Sequence, residues 1–188
     1  MIYAETERLT LRSLEKSDLP RIVEMIGAWD VARWLTSVPY PYTLKDAEDY
    51  YAKMTLSLRQ GTPEYFLLQR KSDQQPVGSI GLHAPYEPLP QPGEHVIGYW
   101  LGREYWGQGL ISEALSSILL LAFARPEIKL LTATTDPANL ASQNVLRKAG
   151  FASLGISPRR ETTRLRGGNN VMRWELTRAA FEMKDKAA

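Results

Sequence analysis

Apolar and polar positions change period several times along the chain, and each change marks an element. Residues 8–14 alternate, with Leu9 and Leu11 on one side, as a half-buried strand does. Asp18 then opens a stretch in which Leu19, Ile22, Val23 and Ile26 recur at helical spacing. Residues 29–42 are aromatic and broken by Pro39 and Pro41, which predicts a short helix and then a loop. Thr43 is placed to cap the next helix, with Asp46 in the position of a capping-box partner. Tyr50, Tyr51, Met54 and Leu58 make its inner stripe, and Gly61 ends it.

Two strands are predicted at 65–70 and 76–83, around a polar turn at 72–75. Prolines at 85, 88, 90 and 92 keep residues 84–93 from forming any regular element, so they must be a surface loop. A strand at 96–101 runs into a polar, glycine-bearing loop at 102–109. The strongest helix follows at 110–124, with Ile111, Leu115, Ile118, Leu119 and Ala122 on one face. Residues 128–134 form a β-branched strand, which Asp136 and Pro137 break. Asn139 caps a helix through Ala149, and Gly150 closes it. Two or three late strands end with 171–176. The order predicts a mixed α/β sheet in one domain over 1–188, with a loosely packed tail after about residue 178. The strand–loop–helix–strand run around residue 107 is one β-α-β unit, whose outer strands should lie parallel.

Composition narrows the chemistry. Lys and Arg number 23 against 21 Asp and Glu, which gives no electrostatic case for nucleic acid or membrane as the main partner. Without cysteine there is no disulfide framework, thiolate metal site or cysteine nucleophile. The longest greasy run, 118–124, falls well short of the roughly 20 apolar residues that span a bilayer. A soluble, cytoplasmic protein without a metal is the expectation.

The chemistry concentrates at residues 96–114, which read VIGYWLGREYWGQGLISEA. Gly107 and Gly109 lie two apart, immediately before a strong helix. A helix start offers unpaired N–H groups and partial positive charge, and glycines let the backbone approach a phosphate closely. Arg103 is near enough to add a full charge. An ordinary strand-to-helix turn uses glycine too, so both readings stand on the loop alone. Two more specific phosphate motifs are missing. Ser112 occupies the place of the third glycine of a dinucleotide fingerprint, and no Gly-Lys-Ser/Thr opens the helix.

A second segment, DPANLASQNVLRKAGF at 136–151, follows at the right distance. Together the two resemble the GNAT superfamily of N-acetyltransferases: a Q/R-x-x-G-x-G/A pyrophosphate loop and an N-x-x-S-x-x-V-L-x-K-x-G-F helix. RLTLRSLEKSDL, PYPYTLKDAEDY and VGSIGLH are similar to its RimJ/RimL-like branch, so the resemblance covers nearly the whole chain. It implies a GNAT-type acyl-CoA N-acyltransferase fold with splayed central strands at 96–101 and 128–134. Acetyl-CoA is the implied co-substrate. Its pantetheine arm would pair with backbone at Tyr99, Trp100 and Leu101. Its pyrophosphate would rest on amides from Trp106, Gly107, Gln108, Gly109, Leu110, Ile111 and Ser112. Arg103, with Lys148 or Arg147, would reach its 3′-phosphate end, and Asn139 would touch the pantetheine as well as capping its helix.

The implied reaction is direct attack of an amine on the thioester. The amine must shed a proton, since an alkylammonium has a pKa near ~10.4. The oxyanion needs donors and the leaving thiolate a proton. The tyrosine that many family members use as acid aligns with Leu146 here. Ser142 matches the serine proposed for that task in the RimJ/RimL-like branch, although serine is also at home in a first helical turn. The branch's glutamate before Ile-Gly-Tyr is Val96 here, and its acidic residue before the last strand is Asn170. Glu94, two residues back on the same strand face as Val96, is the substitute candidate base. His83 and His95 have suitable ordinary pKa values, and water could also carry the proton. Trp29, Trp34, Tyr40 and Tyr42 fall where the family builds its acceptor site; packing of helices onto the sheet accounts for them equally well. Arg159, Arg160, Arg164 and Arg166 could attract an acidic substrate or simply solvate a hairpin. The acceptor is a protein N-terminal amine or a small-molecule amine. A non-catalytic acyl-CoA-binding sensor on the same fold is the alternative. The apolar residues at 179–183 leave monomer and homodimer open.

Overall fold

The computed structural model describes residues 1–35, 38–59, 65–85, 91–158 and 169–185, apart from the side chains of 57–59. Among them are eight strands: β1 (Ile2–Glu5), β2 (Leu9–Arg12), β3 (Tyr65–Arg70), β4 (Pro76–His83), β5 (Glu94–Leu101), β6 (Leu130–Thr135), β7 (Ala152–Pro158) and β8 (Asn170–Thr177). The six α-helices are α1 (Leu19–Gly27), α2 (Trp29–Ala32), α3 (Leu44–Arg59), α4 (Leu110–Phe123), α5 (Leu140–Ala149) and α6 (Arg178–Asp185). Leu58 as an inner-stripe residue, Gly61 as a helix stop, residues 86–90 of the proline loop and the four arginines at 159, 160, 164 and 166 lie outside the described residues.

The strands form one open mixed sheet in the order β1-β2-β3-β4-β5-β6-β8-β7. Every neighbouring pair is antiparallel except β5 with β6, as the β-α-β reading requires. Sequence periodicity locates the strong helices because their apolar stripes are buried. Leu110, Leu115, Ile118 and Leu119 of α4 and Leu146 of α5 pack with Leu9, Leu11, Leu68, Ile80, Ile97, Leu131, Trp174 and Leu176 of the sheet. On the opposite face, Leu19, Ile22 and Ile26 of α1 meet Tyr42, Ala47 of α3 and Leu67 of β3.

Two elements are absent from the sequence reading. Strand β1 is too short to show a period; it pairs only with β2, and its Ile2 is exposed. Helix α6 follows β8 without a break. It is held by Arg178, whose guanidinium donates to the carbonyls of Phe123, Arg125 and Ile128 at 2.6–3.1 Å. A cation on the unpaired carbonyls of a helix C-terminus is well placed. Phe181 packs on Phe123 with ring centroids 4.8 Å apart, and Lys184 Nζ donates to Lys148 O.

Thr43 and Asp46 exchange hydrogen bonds at the start of α3, each side chain reaching the other's backbone N–H. Asp18 stands at the N-cap of α1, where the pattern opens, but its side chain makes no cap hydrogen bond to that helix. It closes a capping box with Glu15 over a short 3₁₀ turn at Lys16–Asp18 and accepts a bidentate pair from Arg12 at 2.8 Å. Both side chains are buried, and Arg12 also donates to Gln69 and to Ser13 O. This pair fixes the C-terminal end of β2. Removing one partner of a buried, hydrogen-bonded ion pair leaves an uncompensated charge. Asp18→Ala is therefore expected to lower unfolding stability by about 3–5 kcal/mol, measured by urea denaturation.

Candidate active site

The functional geometry starts from a ladder that stops early. Strand β5 pairs with β6 only through Glu94↔Leu130, His95↔Leu131 and Val96↔Thr132. Beyond Val96 the two strands part, while β5 stays paired to β4 as far as Leu101 and β6 stays paired to β8 as far as Thr135. Gly102 N donates to Val77 O at 3.0 Å. In an antiparallel ladder bonded and non-bonded pairs alternate, so Trp100 and Gly98 turn their backbone groups toward β4. Ile97, Tyr99 and Leu101 turn theirs toward the gap. Leu101 O is occupied there by the Trp106 indole, whose Nε1 donates to it at 2.9 Å.

The Gly-Gln-Gly loop stands at the C-terminal end of the gap. Gly107 and Gly109 have φ of +74° and +77°, the left-handed region that glycine tolerates and other residues resist. Gly109 is the N-cap of α4. The loop is stitched from behind. Gln108 Nε2 donates to Glu104 O at 2.9 Å, and Arg8 Nη1 donates to Gln108 O at 2.8 Å. Among the described residues, no backbone N–H from Gly107 through Ser112 has an acceptor in the protein; the first helical bond runs from Glu113 N to Gly109 O. Six donors thus surround a helix start, with open space where a Cβ of Gly107 would lie. Arg103 stacks over Trp106 at 4.8 Å and pairs loosely with Asp30 of α2 at 3.5 Å.

Across the gap, Asn139 caps α5 by accepting from Ser142 N at 3.1 Å, so its predicted capping role is observed directly. Gln143 is buried and binds Pro137 O, fixing the turn ahead of the helix. Ser142 then faces β5. Its Oγ lies 2.9 Å from the Tyr99 hydroxyl, which also approaches Ser142 O at 3.2 Å. Burial pushes the Tyr99 phenol up to about 12, against a smaller opposing effect from its bond to Ser142. Sequence reasoning assigned Tyr99 a backbone role only. Its side-chain partner could not be seen, because the contact spans 43 residues. Leu146, where the family's tyrosine would stand, is fully buried in the core.

The other candidates are dispersed. Glu94 lies five residues before Tyr99, roughly 16 Å along the strand, and on the opposite face. Its carboxylate accepts from the Thr132 hydroxyl at 2.9 Å and from Gln91 N at 3.0 Å. His83 is buried, its Nδ1 2.8 Å from Ala84 O and its ring stacked on Tyr65. His95 is half-buried on β5. Lys148 sits in the last turn of α5, about 9 Å along the helix axis from Ser142, beside α6. Tyr42 belongs to the second core cluster, whereas Trp29 and Tyr40 are exposed and meet edge to face at 5.1 Å. Among the described residues no cluster of His, Cys, Asp and Glu could hold a metal, and no helix is long and apolar enough to cross a membrane.

A mixed sheet split between two parallel strands, with an amide-lined helix start at the mouth of the split, defines an acyltransferase of the acyl-CoA type. The model of the acetyltransferase (GNAT) domain matches residues 8–152, and the chain belongs to that family, which uses acetyl-CoA. An uncharacterized N-acetyltransferase, p20, of Bacillus licheniformis is 26% identical over 151 residues, covering 80% of this chain and 83% of that protein. An aminoglycoside N(6′)-acetyltransferase type 1 of Klebsiella pneumoniae is 24% identical over 163 residues, covering 82% and 79%. The fold also matches a ribosomal-protein-S5-alanine acetyltransferase from Vibrio fischeri, with TM-score 0.78, 17% identity and coverage of 96% and 99%.

The left-handed conformation at Gly109 gives a direct test of the loop. A Cβ there would meet only Arg8 Nη2, at 3.5 Å, so the cost of a side chain is set by backbone strain rather than by a clash. Gly109→Ala should lose about 1–2 kcal/mol of stability, read from the shift in urea midpoint at unchanged slope.

Proposed function

We propose that this protein is an acetyl-CoA-dependent N-acetyltransferase of the RimJ/RimL-like kind, working on the primary amine of a protein N-terminus or of a small molecule. The observation that carries the reading is the convergence of three features on one gap: the unpaired amides of 107–112, the open edge of β5, and the Tyr99–Ser142 hydroxyl pair. The pyrophosphate rests on the amides of Gly107 to Ser112, Arg103 lies beside it, and the pantetheine runs along β5 as a surrogate strand. Tyr99 offers it backbone groups on the gap side and Leu101 its N–H; the backbone of Trp100, expected to pair with it, is turned to β4 instead.

In this scheme the amine attacks the thioester carbon, the C–S bond breaks, and the thiolate of coenzyme A takes a proton or a hydrogen bond from Ser142 Oγ. The 2.9 Å contact admits either hydroxyl as donor; with Tyr99 donating to that Oγ, the serine proton is directed at sulfur. A phenol held at about 12 keeps its proton throughout the physiological range, so it serves as a donor and never as a base. Glu94, tethered to Thr132 at the far end of β5 and on the face opposite Tyr99, can steer the incoming ammonium, and water carries off its proton. The cytoplasm supplies acetyl-CoA for such an enzyme.

Ser142→Ala and Tyr99→Phe should each lower kcat about 10- to 100-fold, with KM for acetyl-CoA changed far less. Wild-type activity is to be read as thiol release across a panel of N-terminal peptides, amino acids, polyamines and aminoglycosides. Tight binding of acetyl-CoA with no release on any acceptor would replace the enzyme reading by that of an acyl-CoA-binding sensor.

A further inference from the structure

We infer that Arg8, outside the helix and loop that hold the cofactor, is the positioning residue of the pyrophosphate loop. This rests on the cofactor reading above and adds a residue from the other end of the chain.

Arg8 precedes β2 and makes three contacts, 100 or more residues away in sequence, at one place. Its backbone N donates to Glu113 Oε1 at 2.8 Å, its Nε to Glu113 Oε2 at 2.7 Å, and its Nη1 to Gln108 O at 2.8 Å. The last contact sets the loop's chemistry. A trans peptide plane holds its C=O and the following N–H in opposite directions. With Gln108 O drawn inward to the guanidinium, Gly109 N–H must point outward, to the side where the amides of 107–112 lack acceptors. Were that peptide to turn over, the loop would offer an anion a carbonyl oxygen in place of a donor. Turning the 108–109 peptide over changes φ at residue 109, and glycine there crosses between backbone regions easily. The selection between the two orientations falls to Arg8.

Glu113 completes the device. Burial acts to raise its carboxyl pKa, but hydrogen bonds from Thr6, from Arg8 N and from the Arg8 side chain outweigh that and hold it below the usual carboxylate range. It stays ionised, orients the guanidinium edge-on, and balances the arginine charge. Arg8 therefore acts through loop geometry and adds little net charge to the cradle. Its β2 strand is anchored at the other end by the buried Arg12–Asp18 pair, so Arg8 is presented from a fixed base.

The test compares coenzyme A with pantetheine, which has the thiol arm and no pyrophosphate, by titration calorimetry on wild type, Arg8→Ala and Arg8→Lys. Arg8→Ala should weaken coenzyme A about 10- to 100-fold, the range for a lost charge-assisted hydrogen bond, while leaving pantetheine affinity unchanged. Arg8→Lys keeps the charge but cannot hold Gln108 O and Glu113 together, so it should fall between the two. Equal weakening toward both ligands means a general structural role and overturns the inference, as does unchanged affinity toward both. If Arg8→Ala does not fold, Arg8→Lys carries the same comparison: selective loss of coenzyme A affinity supports the inference, and equal loss or none overturns it. A wild type that binds pantetheine as tightly as coenzyme A defeats the cofactor reading itself, and the inference falls with it.

Discussion

A sheet that parts between two of its inner strands has polar backbone left over in its middle, and most of what is distinctive in this protein follows from that. Peptide groups in a protein interior need partners. Strands β5 and β6 share three pairs and then diverge, each keeping its other neighbour. One leftover group, Leu101 O, is satisfied internally by the Trp106 indole. The backbone of Tyr99 faces the gap with no strand opposite. An extended ligand with amides of its own is the natural complement. Pantetheine has two amides, and the family uses acetyl-CoA.

Helix α5 reaches into the same gap, and its two ends do separate work. Asn139 fixes where the helix begins, and Gly150, at φ +103°, fixes where it stops. With both ends set, rotation about the helix axis is determined by burial: Leu146 and Gln143 point inward, and Ser142, four residues before Leu146, turns toward β5. At 146, where the resemblance would put a tyrosine, the chain has a fully buried core aliphatic. The phenol that reaches the gap comes instead from β5, at Tyr99, and meets the helix through Ser142.

Legibility in the sequence followed the range of the forces involved. Elements specified by local periodicity and caps, such as α4, α5, β3 and β4, fall where the pattern puts them, because each residue's partners lie within a turn or one strand alternation. The parallel pairing of β5 and β6 was legible because a crossover helix leaves little other choice. Strand β1 was not, since four residues with exposed Ile2 carry no period and gain their identity from β2. Helix α6 was hidden because its anchor is Arg178, whose acceptors lie 50 or more residues earlier. Within the site, the glycines and Asn139 were readable as local backbone devices. Arg8 and the Tyr99 hydroxyl were not, because their contacts join segments that only the finished fold brings together.

The electrostatics of the loop sharpen the same distinction. Glu113 sits in the first turn of α4, where a carboxylate is normally stabilised by the helix dipole and by nearby N–H groups. Left alone, it would compete with any bound phosphate for that positive end. Arg8 removes the conflict by engaging both carboxylate oxygens from behind. With the glutamate so engaged, the six front amides stay unclaimed among the described residues. A positive end that depended on nearby cations alone would be screened by salt within about 10 Å. Fixed backbone dipoles at contact distance, aimed by a paired and nearly neutral support, lose far less of their effect. On the cofactor reading proposed above, such a helix start works through the orientation of a few peptide planes more than through the chain's net charge, which is only +2.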